Sequence, residues 1–286
     1  MWYWGKDDEL RNKGEGLEKM FRKITEEASL YDHLERKSTS EILVEMNRED
    51  QRVATAVKES IPQVECLVDS IFPRMKSGGR VFYVGAGTSG RLGVLDASEI
   101  PPTYGLRDVF IAVIAGGDKA LRTAVEKAED IEEAGWNDLL AYHPDVNDTV
   151  IGIAASGTTP YVVGALKEAR NHGLLTACIT SNPDSPVTQL ADIAVVTVVG
   201  PEYITGSSRM KSGTATKLVL NMLSTTLMIK LGRVEGNRMV NLQPTNRKLT
   251  ERSIRMLMER LNVNEEKARQ LLLQYGTVKA VLECRM

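Results

Sequence analysis

The sequence predicts an α/β protein built on a five-stranded, mostly parallel sheet flanked by helices, with an N-terminal helical segment and a small C-terminal helical bundle. Five short apolar runs alternate with stretches of helical character. The runs are apolar on both faces, as expected for parallel strands covered by helices on each side. The predicted strands cover 80–84, 108–115, 149–155, 174–180 and 192–199.

The stretch that precedes the first strand, 16–77, reads as helical. Ser38 and Glu41 form a capping box that opens one helix, and apolar residues recur at helical spacing in the second half of the stretch. Gly78 and Gly79 follow the last periodic residue, where helices commonly end. We therefore expect helices up to this point and the first strand directly after it.

Further helices are predicted between the strands and after the sheet. They cover 91–99, 119–133, 161–172 and 212–231, and two or three short helices follow from about Gln243. The pattern divides the chain into a flexible leader at 1–15, an α/β domain with its N-terminal helices at 16–240, and a helical tail at 241–286.

Composition excludes several classes of protein. A net charge of −2 over 286 residues argues against a nucleic-acid binder. No apolar run reaches the roughly 20 residues that a membrane helix needs, and the N-terminus lacks the apolar segment of a signal peptide. Cys66, Cys178 and Cys284 show no zinc-binding spacing. They favour a reducing compartment, the cytoplasm, with Cys66 and Cys178 as small core residues.

A glycine-rich loop follows the first strand and opens a helix. Gly87, Thr88 and Ser89 lie at its centre, where backbone and hydroxyl groups can approach an anion. A tight turn without a ligand is the alternative. The loop also fits the dinucleotide pattern GxGxxG, but that pattern expects an acidic residue about 20 positions on. The second strand here ends too late for it, in Gly116-Gly117-Asp118.

A second polar loop follows the third strand. It contains Ser156, Gly157, Thr158 and Thr159, and Pro160 suits the first turn of the next helix. Carboxyl ends of parallel strands meet at one edge of a sheet, so the two loops should converge on one crevice, with a phosphate as the natural ligand. Ordinary helix capping by Thr158 or Thr159 is the alternative.

A third polar segment, 200–214, leads from the last strand into a long helix. Ser207, Ser208, Arg209 and Lys211 lie within it, and the two basic side chains could supply charge to a phosphate or bind a sugar hydroxyl. A solvated helix start is the alternative, and the residues by themselves leave both open.

This third segment resembles the signature shared by N-acetylmuramic acid 6-phosphate etherases and glucokinase regulatory proteins, as do the stretches GAGTSGRLGVLDASEIPPTYG, IAGGDKALRTAVEKAED and GIAASGTTPYV. The resemblance runs from about residue 39 to the C-terminus. It implies the sugar-isomerase (SIS) fold and a lyase that removes D-lactate from N-acetylmuramic acid 6-phosphate, leaving N-acetylglucosamine 6-phosphate, in cell-wall sugar recycling. It further implies no metal or organic cofactor, and a homodimer with its site near the subunit interface.

The resemblance also implies site residues. The two catalytic glutamates of the family match Glu99 and Glu129. Pro101 should end the helix near Glu99, so the helix terminus would raise the pKa of that carboxyl and suit it to protonate the departing lactate. Glu129 is the candidate base at C2, with Glu126 as its competitor on the same predicted helix.

Hydroxyls of Ser89, Ser156 and Thr159 match the phosphate-binding groups of SIS domains, with Ser207, Ser208 and Lys211 as further contacts. The three histidines lie outside the loops and are expected at the surface: His33, His143 and His172.

Two other functions remain open on the sequence alone. An aldose–ketose isomerase on the same fold would need a base at C2 but no acid for a leaving group. A sugar-phosphate-sensing regulator would need no catalysis, but the regulators of this family carry two SIS domains, and this chain has one set of loops.

Overall fold

A computed structural model of the protein describes residues 21–125 and 127–284. The predicted leader at 1–15 and the side chain of Glu126 lie outside the described residues. No helix in the part of the chain that is described has the length and apolarity to cross a membrane.

The five predicted strands are confirmed, and all of them are parallel. They are β1 (Val81–Gly85), β2 (Phe110–Ile114), β3 (Thr149–Ile153), β4 (Leu175–Thr180) and β5 (Ile193–Val196). Their order in the sheet is β2-β1-β3-β4-β5, and every neighbouring pair runs in the same direction. This order places the ends of β1 and β3 side by side.

Helices cover both faces of the sheet. They are α1 (Thr39–Glu59), α2 (Ile61–Lys76), α3 (Gly87–Tyr104), α4 (Ala134–Leu140), α5 (Pro160–Asn171), α6 (Pro186–Leu190) and α7 (Lys211–Lys230). One hydrophobic core joins α1, α2, α3 and α7 to one face. A second core joins α4, α5 and α6 to the other. The long helix predicted at 212–231 is thereby confirmed as α7.

The N-terminal segment differs from its prediction. The Ser38 capping box is present, with the Glu41 backbone N–H donating to Ser38 Oγ. Before it, the described residues form two short 3₁₀ turns, Ile24–Glu26 and Leu34–Arg36, in place of α-helix. The segment instead bonds to distant loops, and the Ser29 N–H, for example, donates to Thr205 Oγ1 at 2.9 Å.

Helix α3 is longer than predicted, because it continues through Pro101 to Tyr104. A proline inside a helix removes one backbone hydrogen bond. Ile100 and Tyr104 are both buried in the core, and this burial holds the last turn in place. The expectation that Glu99 lies at a helix end is therefore wrong, and so is the argument that a helix terminus acts on its carboxyl.

The helix predicted at 119–133 is absent from the described residues of that range. Two 3₁₀ turns, Gly117–Leu121 and Ala128–Asp130, replace it, and Lys127 between them has a left-handed backbone with φ of 64°. Most side chains here are exposed, so a helix would have no apolar face to bury, and such a face supplies most helical stability in proteins. For this reason the charge-rich pattern of 119–133 wrongly predicts a long helix.

The predicted C-terminal helical bundle is present. It consists of α8 (Arg247–Leu261), α9 (Glu265–Tyr275) and α10 (Val278–Glu283). The three helices surround a separate hydrophobic cluster that includes Leu257 and Leu272. A backbone hydrogen bond of 3.0 Å from the Lys279 N–H to the Val240 carbonyl ties the bundle to the segment before it.

The two cysteines expected in the core differ in burial. Cys178 is buried in β4, as predicted, but Cys66 is exposed on α2. Helix α2 buries Leu67 and Ile71 against the sheet. Successive residues of a helix turn by about 100°, so Cys66 falls outside this apolar stripe.

Candidate active site

The polar loops converge where the sheet order reverses. Strands β1 and β3 are neighbours, and Gly85 at the end of one pairs with Ile153 at the end of the other. Helices α3 and α5 leave from these two ends toward opposite faces of the sheet. Open α/β sheets bind ligands in the crevice that such a divergence leaves.

The first loop places a helix start at this crevice. A Cβ on Gly90 would lie 2.6 Å from Ile114 Cγ1, so a larger residue there would push α3 away from β2. In the part of the chain that the structure describes, no side chain caps α3, so the first-turn N–H groups of Gly87, Thr88 and Ser89 remain available to a ligand. Backbone donors at a helix N-terminus favour an anion such as phosphate.

The second loop is shaped by its own hydroxyls. Thr158 donates to Ser156 Oγ from its backbone N–H at 3.3 Å and from its hydroxyl at 3.1 Å. Thr159 is the N-cap residue of α5, but its side chain makes no capping hydrogen bond. The first turn of α5 is therefore open toward the same crevice as the first turn of α3.

Sequence reasoning missed Ser185, which lies behind the second loop. A Cβ on Gly157 would approach Ser185 Oγ to 2.1 Å, so glycine is required there. This hydroxyl is buried and has no hydrogen-bond partner among the described residues. The signal was present in the sequence, because 181–186 is one more polar junction between a strand and a helix.

Lys211, in the third polar segment, has a structural role that the sequence did not reveal. Lys211 is buried, and its ammonium lies 2.6 Å from the buried Glu49 carboxylate on α1. Burial opposes ionisation of Glu49, but the hydrogen bond and charge of Lys211 prevail and hold the pKa of Glu49 below its ordinary value. In this structure the charge of Lys211 is paired with that of Glu49, and a contact of Lys211 with the substrate stays a prediction.

Glu202 completes this arrangement. Its carboxylate accepts hydrogen bonds of 2.9 Å from the backbone N–H groups of Lys211 and Ser212, and thereby caps α7. Ser207 and Ser208 are half-buried just before the cap, and Arg209 is exposed. Of the two basic residues in the segment, Arg209 is the one whose side chain is accessible to a ligand.

A groove runs between α3 and α7, away from the loops. Its upper part, of about 300 Å³, is lined by Thr88, Leu92, Arg209 and Lys217 among others. Its lower part, of about 280 Å³, is lined by Leu92, Asp96, Glu99, Lys217 and Asn221 among others. Leu92 and Lys217 belong to both parts, so the α3–α7 groove connects the end of the first loop with Glu99.

Asp96 is the most buried acidic group of the α3–α7 groove. Its Oδ2 accepts a hydrogen bond from the Tyr83 hydroxyl and its Oδ1 accepts one from the Ser224 hydroxyl, each 3.0 Å long. Burial raises the pKa of Asp96, which opposes the effect of these hydrogen bonds.

The two predicted catalytic carboxylates belong to elements on opposite faces of the sheet. Glu99 follows Ser89 by ten positions in α3, which is about 15 Å along a helix axis. Glu129 lies in the turn Ala128–Asp130, and Ala128 packs in the core on the other face of the sheet. Both glutamates are exposed, and so are the three histidines, as expected.

Two protein-family models match parts of this chain. Residues 63–170 match the Glucokinase regulatory protein N-terminal SIS domain, and residues 123–226 match the SIS domain. Together they cover the sheet and both phosphate-loop candidates.

Curated relatives resemble nearly the whole chain. It is 63% identical over 265 residues to the N-acetylmuramic acid 6-phosphate etherase of Porphyromonas gingivalis strain W83, covering 92% of this chain and 97% of that protein. The etherase of Bacteroides thetaiotaomicron is 62% identical over 264 residues, covering 92% and 95%. That of Salmonella agona is 52% identical over 238 residues, covering 83% and 80%.

Solved structures share the fold at low sequence identity. A phosphoheptose isomerase from Neisseria gonorrhoeae superposes with a TM-score of 0.53 at 15% identity, covering 66% of this chain and 98% of that one. A phosphoheptose isomerase from Francisella tularensis gives 0.50 at 15% identity, covering 66% and 100%. These similarities establish the SIS fold.

Proposed function

The chain belongs to the N-acetylmuramic acid 6-phosphate etherases, and from this premise we propose that it cleaves the D-lactyl ether of N-acetylmuramic acid 6-phosphate. The products are N-acetylglucosamine 6-phosphate and D-lactate, and the enzyme is a carbon–oxygen lyase. The single observation that carries this assignment is 63% identity over 97% of a named etherase. The open helix starts of α3 and α5 at one crevice support a phosphosugar substrate.

The elimination begins at C2 of the ring-opened sugar. Opening exposes an aldehyde at C1, which acidifies the C2 proton. We assign Glu129 as the base that removes this proton, and the exposed position of its carboxylate supports the role. Glu126 remains the competing base, although the described residues on either side of it do not form the helix that was predicted to place the two on one face.

The C3–oxygen bond breaks in the next step. We assign Glu99 as the acid that protonates the departing lactyl oxygen, which leaves an unsaturated aldehyde and D-lactate. Water then adds its hydroxyl to C3 and a proton to C2, giving N-acetylglucosamine 6-phosphate. The elimination uses Glu129 and Glu99 as its proton-transfer groups, and we propose that the reaction needs no added metal or cofactor.

The phosphate is assigned to the two loops. The N–H groups of Gly87 and Thr88 offer the anion a helix start, and Ser89 adds a hydroxyl. On the second loop the proposed contacts are Ser156, Gly157, Thr158 and Thr159. Ser207 and Ser208 are proposed as further contacts.

We further propose that the enzyme is a homodimer in the cytoplasm, with sites that both subunits complete. Glu99 is about 15 Å from Ser89 along α3, and Glu129 is on the other face of the sheet. A hexose phosphate is shorter than the separation between Ser89 and Glu99 along α3. Glu99 of one subunit therefore serves the sugar that the loops of the partner hold. The three cysteines form no disulfide with one another, which supports a reducing compartment.

Mixing two inactive variants tests the shared site. Glu99→Gln and Ser156→Ala proteins, refolded together, should regain activity, because a heterodimer contains one site with both residues intact. The same proteins assayed after refolding separately provide the control. Absence of recovery in verified heterodimers, or a monomeric wild-type protein by light scattering, would refute the shared site.

The function itself is tested by D-lactate release from N-acetylmuramic acid 6-phosphate by the purified protein. Release supports the etherase. Interconversion of aldose and ketose phosphates without lactate would indicate an isomerase. Tight sugar-phosphate binding without turnover would indicate a regulator.

A further inference from the structure

The proposed substrate carries two anions, and the loops account for one of them. Phosphate occupies C6, while the lactyl ether at C3 ends in a carboxylate. A carboxylate in a protein site needs a cation or several N–H donors. Sugar phosphates without the lactyl group lack this second anion, so the group that binds it also sets specificity. The need for such a group rests on the proposed function, because only the etherase substrate carries lactate.

The α3–α7 groove holds a cation in the right place. Lys217 on α7 is exposed and lines both the upper and the lower part of the groove. Its ammonium donates a hydrogen bond to Asn221 Oδ1, one turn along the same helix. Among the described residues Lys217 takes part in no ion pair, in contrast to Lys211 and Lys230 on the same helix.

Burial raises the pKa of the neighbouring Asp96, and the charge of Lys217 opposes this rise, but the two side chains form no salt bridge among the described residues. The two carboxylate oxygens of Asp96 are taken by hydrogen bonds from Tyr83 and Ser224. The acid next to Lys217 is therefore already satisfied by neutral hydroxyls. The ammonium keeps its remaining N–H donors for a ligand in the groove.

Lys217 and Glu99 line the same cavity of about 280 Å³. In the lactyl ether, two bonds separate the oxygen that Glu99 protonates from the carboxylate carbon. The acid and the carboxylate-binding cation must therefore lie close together, whichever subunit holds the phosphate. Arg209 lies at the Thr88 end, where the upper cavity meets the phosphate loop.

We propose that Lys217 binds the carboxylate of the lactyl group, with Asn221 orienting the ammonium. The contact positions the leaving group against Glu99 and distinguishes the substrate from sugar phosphates that lack lactate. Lys217 is thus a substrate-binding and specificity residue of the etherase.

The test compares Lys217→Met with two references. Lys217→Arg keeps the charge, and Lys230→Met makes the same substitution near the exposed end of the same helix, away from the groove. For Lys217→Met we expect kcat/KM for N-acetylmuramic acid 6-phosphate to fall roughly 10- to 100-fold, as for one lost charge-assisted hydrogen bond. Binding of N-acetylglucosamine 6-phosphate, measured by calorimetry, should change less than about twofold, because that ligand lacks the carboxylate.

The outcomes separate the proposal from its premise. Equal losses for both sugar phosphates would overturn the proposal, since Lys217 would then act on the phosphate or the fold. Unchanged kinetics of Lys217→Met, or a comparable loss in Lys230→Met, would overturn it as well. A wild-type protein that binds both sugars but releases no lactate would refute the etherase function. The Lys217 assignment is then decided by whether Lys217→Met selectively weakens binding of the lactyl sugar.

Discussion

Glu99 and Glu129, the two proposed catalytic carboxylates, are held by different kinds of structure. Glu99 lies in α3, an 18-residue helix whose neighbouring Ile100 is buried in the core. Glu129 lies in a three-residue 3₁₀ turn in which Ala128 packs against the core on the other face of the sheet and Asp130 is exposed. A long helix packed in the core thus holds the proposed acid, whereas a short turn with one core contact holds the proposed base. The two sites should respond differently to mutation.

The largest effect is expected at Glu99. Glu99→Gln should lower D-lactate release on the order of 10³-fold, because the leaving oxygen loses its acid. Exchange of the C2 proton with solvent deuterium should persist, since the base remains. Glu65→Gln, an exposed glutamate on α2, is the matched control and should leave both rates unchanged. Simultaneous loss of exchange and release in Glu99→Gln would contradict the acid role.

Glu129→Gln should lower both the C2 exchange rate and the rate of D-lactate release. Removal of the base stops the reaction before the C3–oxygen bond breaks, so exchange and release should fall together, by about 10²- to 10³-fold. Mass spectrometry of recovered substrate measures the first and a lactate assay the second. Glu126→Gln is the companion variant, and a loss of exchange there with Glu129→Gln active would move the base to Glu126.

The end of α3 offers a test of stability. Ile100→Ala should lower the free energy of unfolding by about 2–5 kcal/mol, because it empties a buried site. Pro101→Ala should change it by less than about 1 kcal/mol, since a regained hydrogen bond and a more flexible unfolded chain offset each other. Urea unfolding measures both. A stabilisation of about 3 kcal/mol by Pro101→Ala would show that the prolines strain the helix.

Smaller losses of stability than that of Ile100→Ala are expected in the segment that carries Glu129. Gly116 and Gly117 both have positive φ, 85° and 65°. A Cβ on Gly116 would lie 2.7 Å from Val125 Cβ, whereas one on Gly117 meets nothing within 4 Å. Gly117→Ala should therefore cost about 1 kcal/mol of backbone strain, and Gly116→Ala about 1 kcal/mol more from the clash. Equal melting temperatures for the two variants would show that Val125 does not anchor the segment.

Much of the fold was predictable because local patterns decide it. The five strands are short runs that are apolar on both faces, and the polar loops directly follow two of them. The carboxyl ends of parallel strands share an edge, so the convergence of Ser89 and Ser156 on one crevice was predictable too.

Other parts of the site depended on partners that are distant in sequence. Lys211 and Lys217 lie six positions apart on one helix, and both follow a polar segment. One is buried against Glu49 of α1, and the other is exposed in the α3–α7 groove. Nothing in the sequence near either lysine distinguishes them, because the difference comes from which helix packs on which side of α7.

The sequence by itself determined the parallel sheet, the polar loops and the family, because periodicity, glycines and hydroxyls act over a few neighbouring residues. The tertiary structure decided where α3 ends, that 119–133 contains 3₁₀ turns in place of a long helix, and which lysine keeps its charge available. Each of these depends on burial against distant residues, such as Ile100 in the core or Glu49 beside Lys211. Burial and pairing outweigh local preference, because a few buried groups contribute more free energy than the propensities of a short segment.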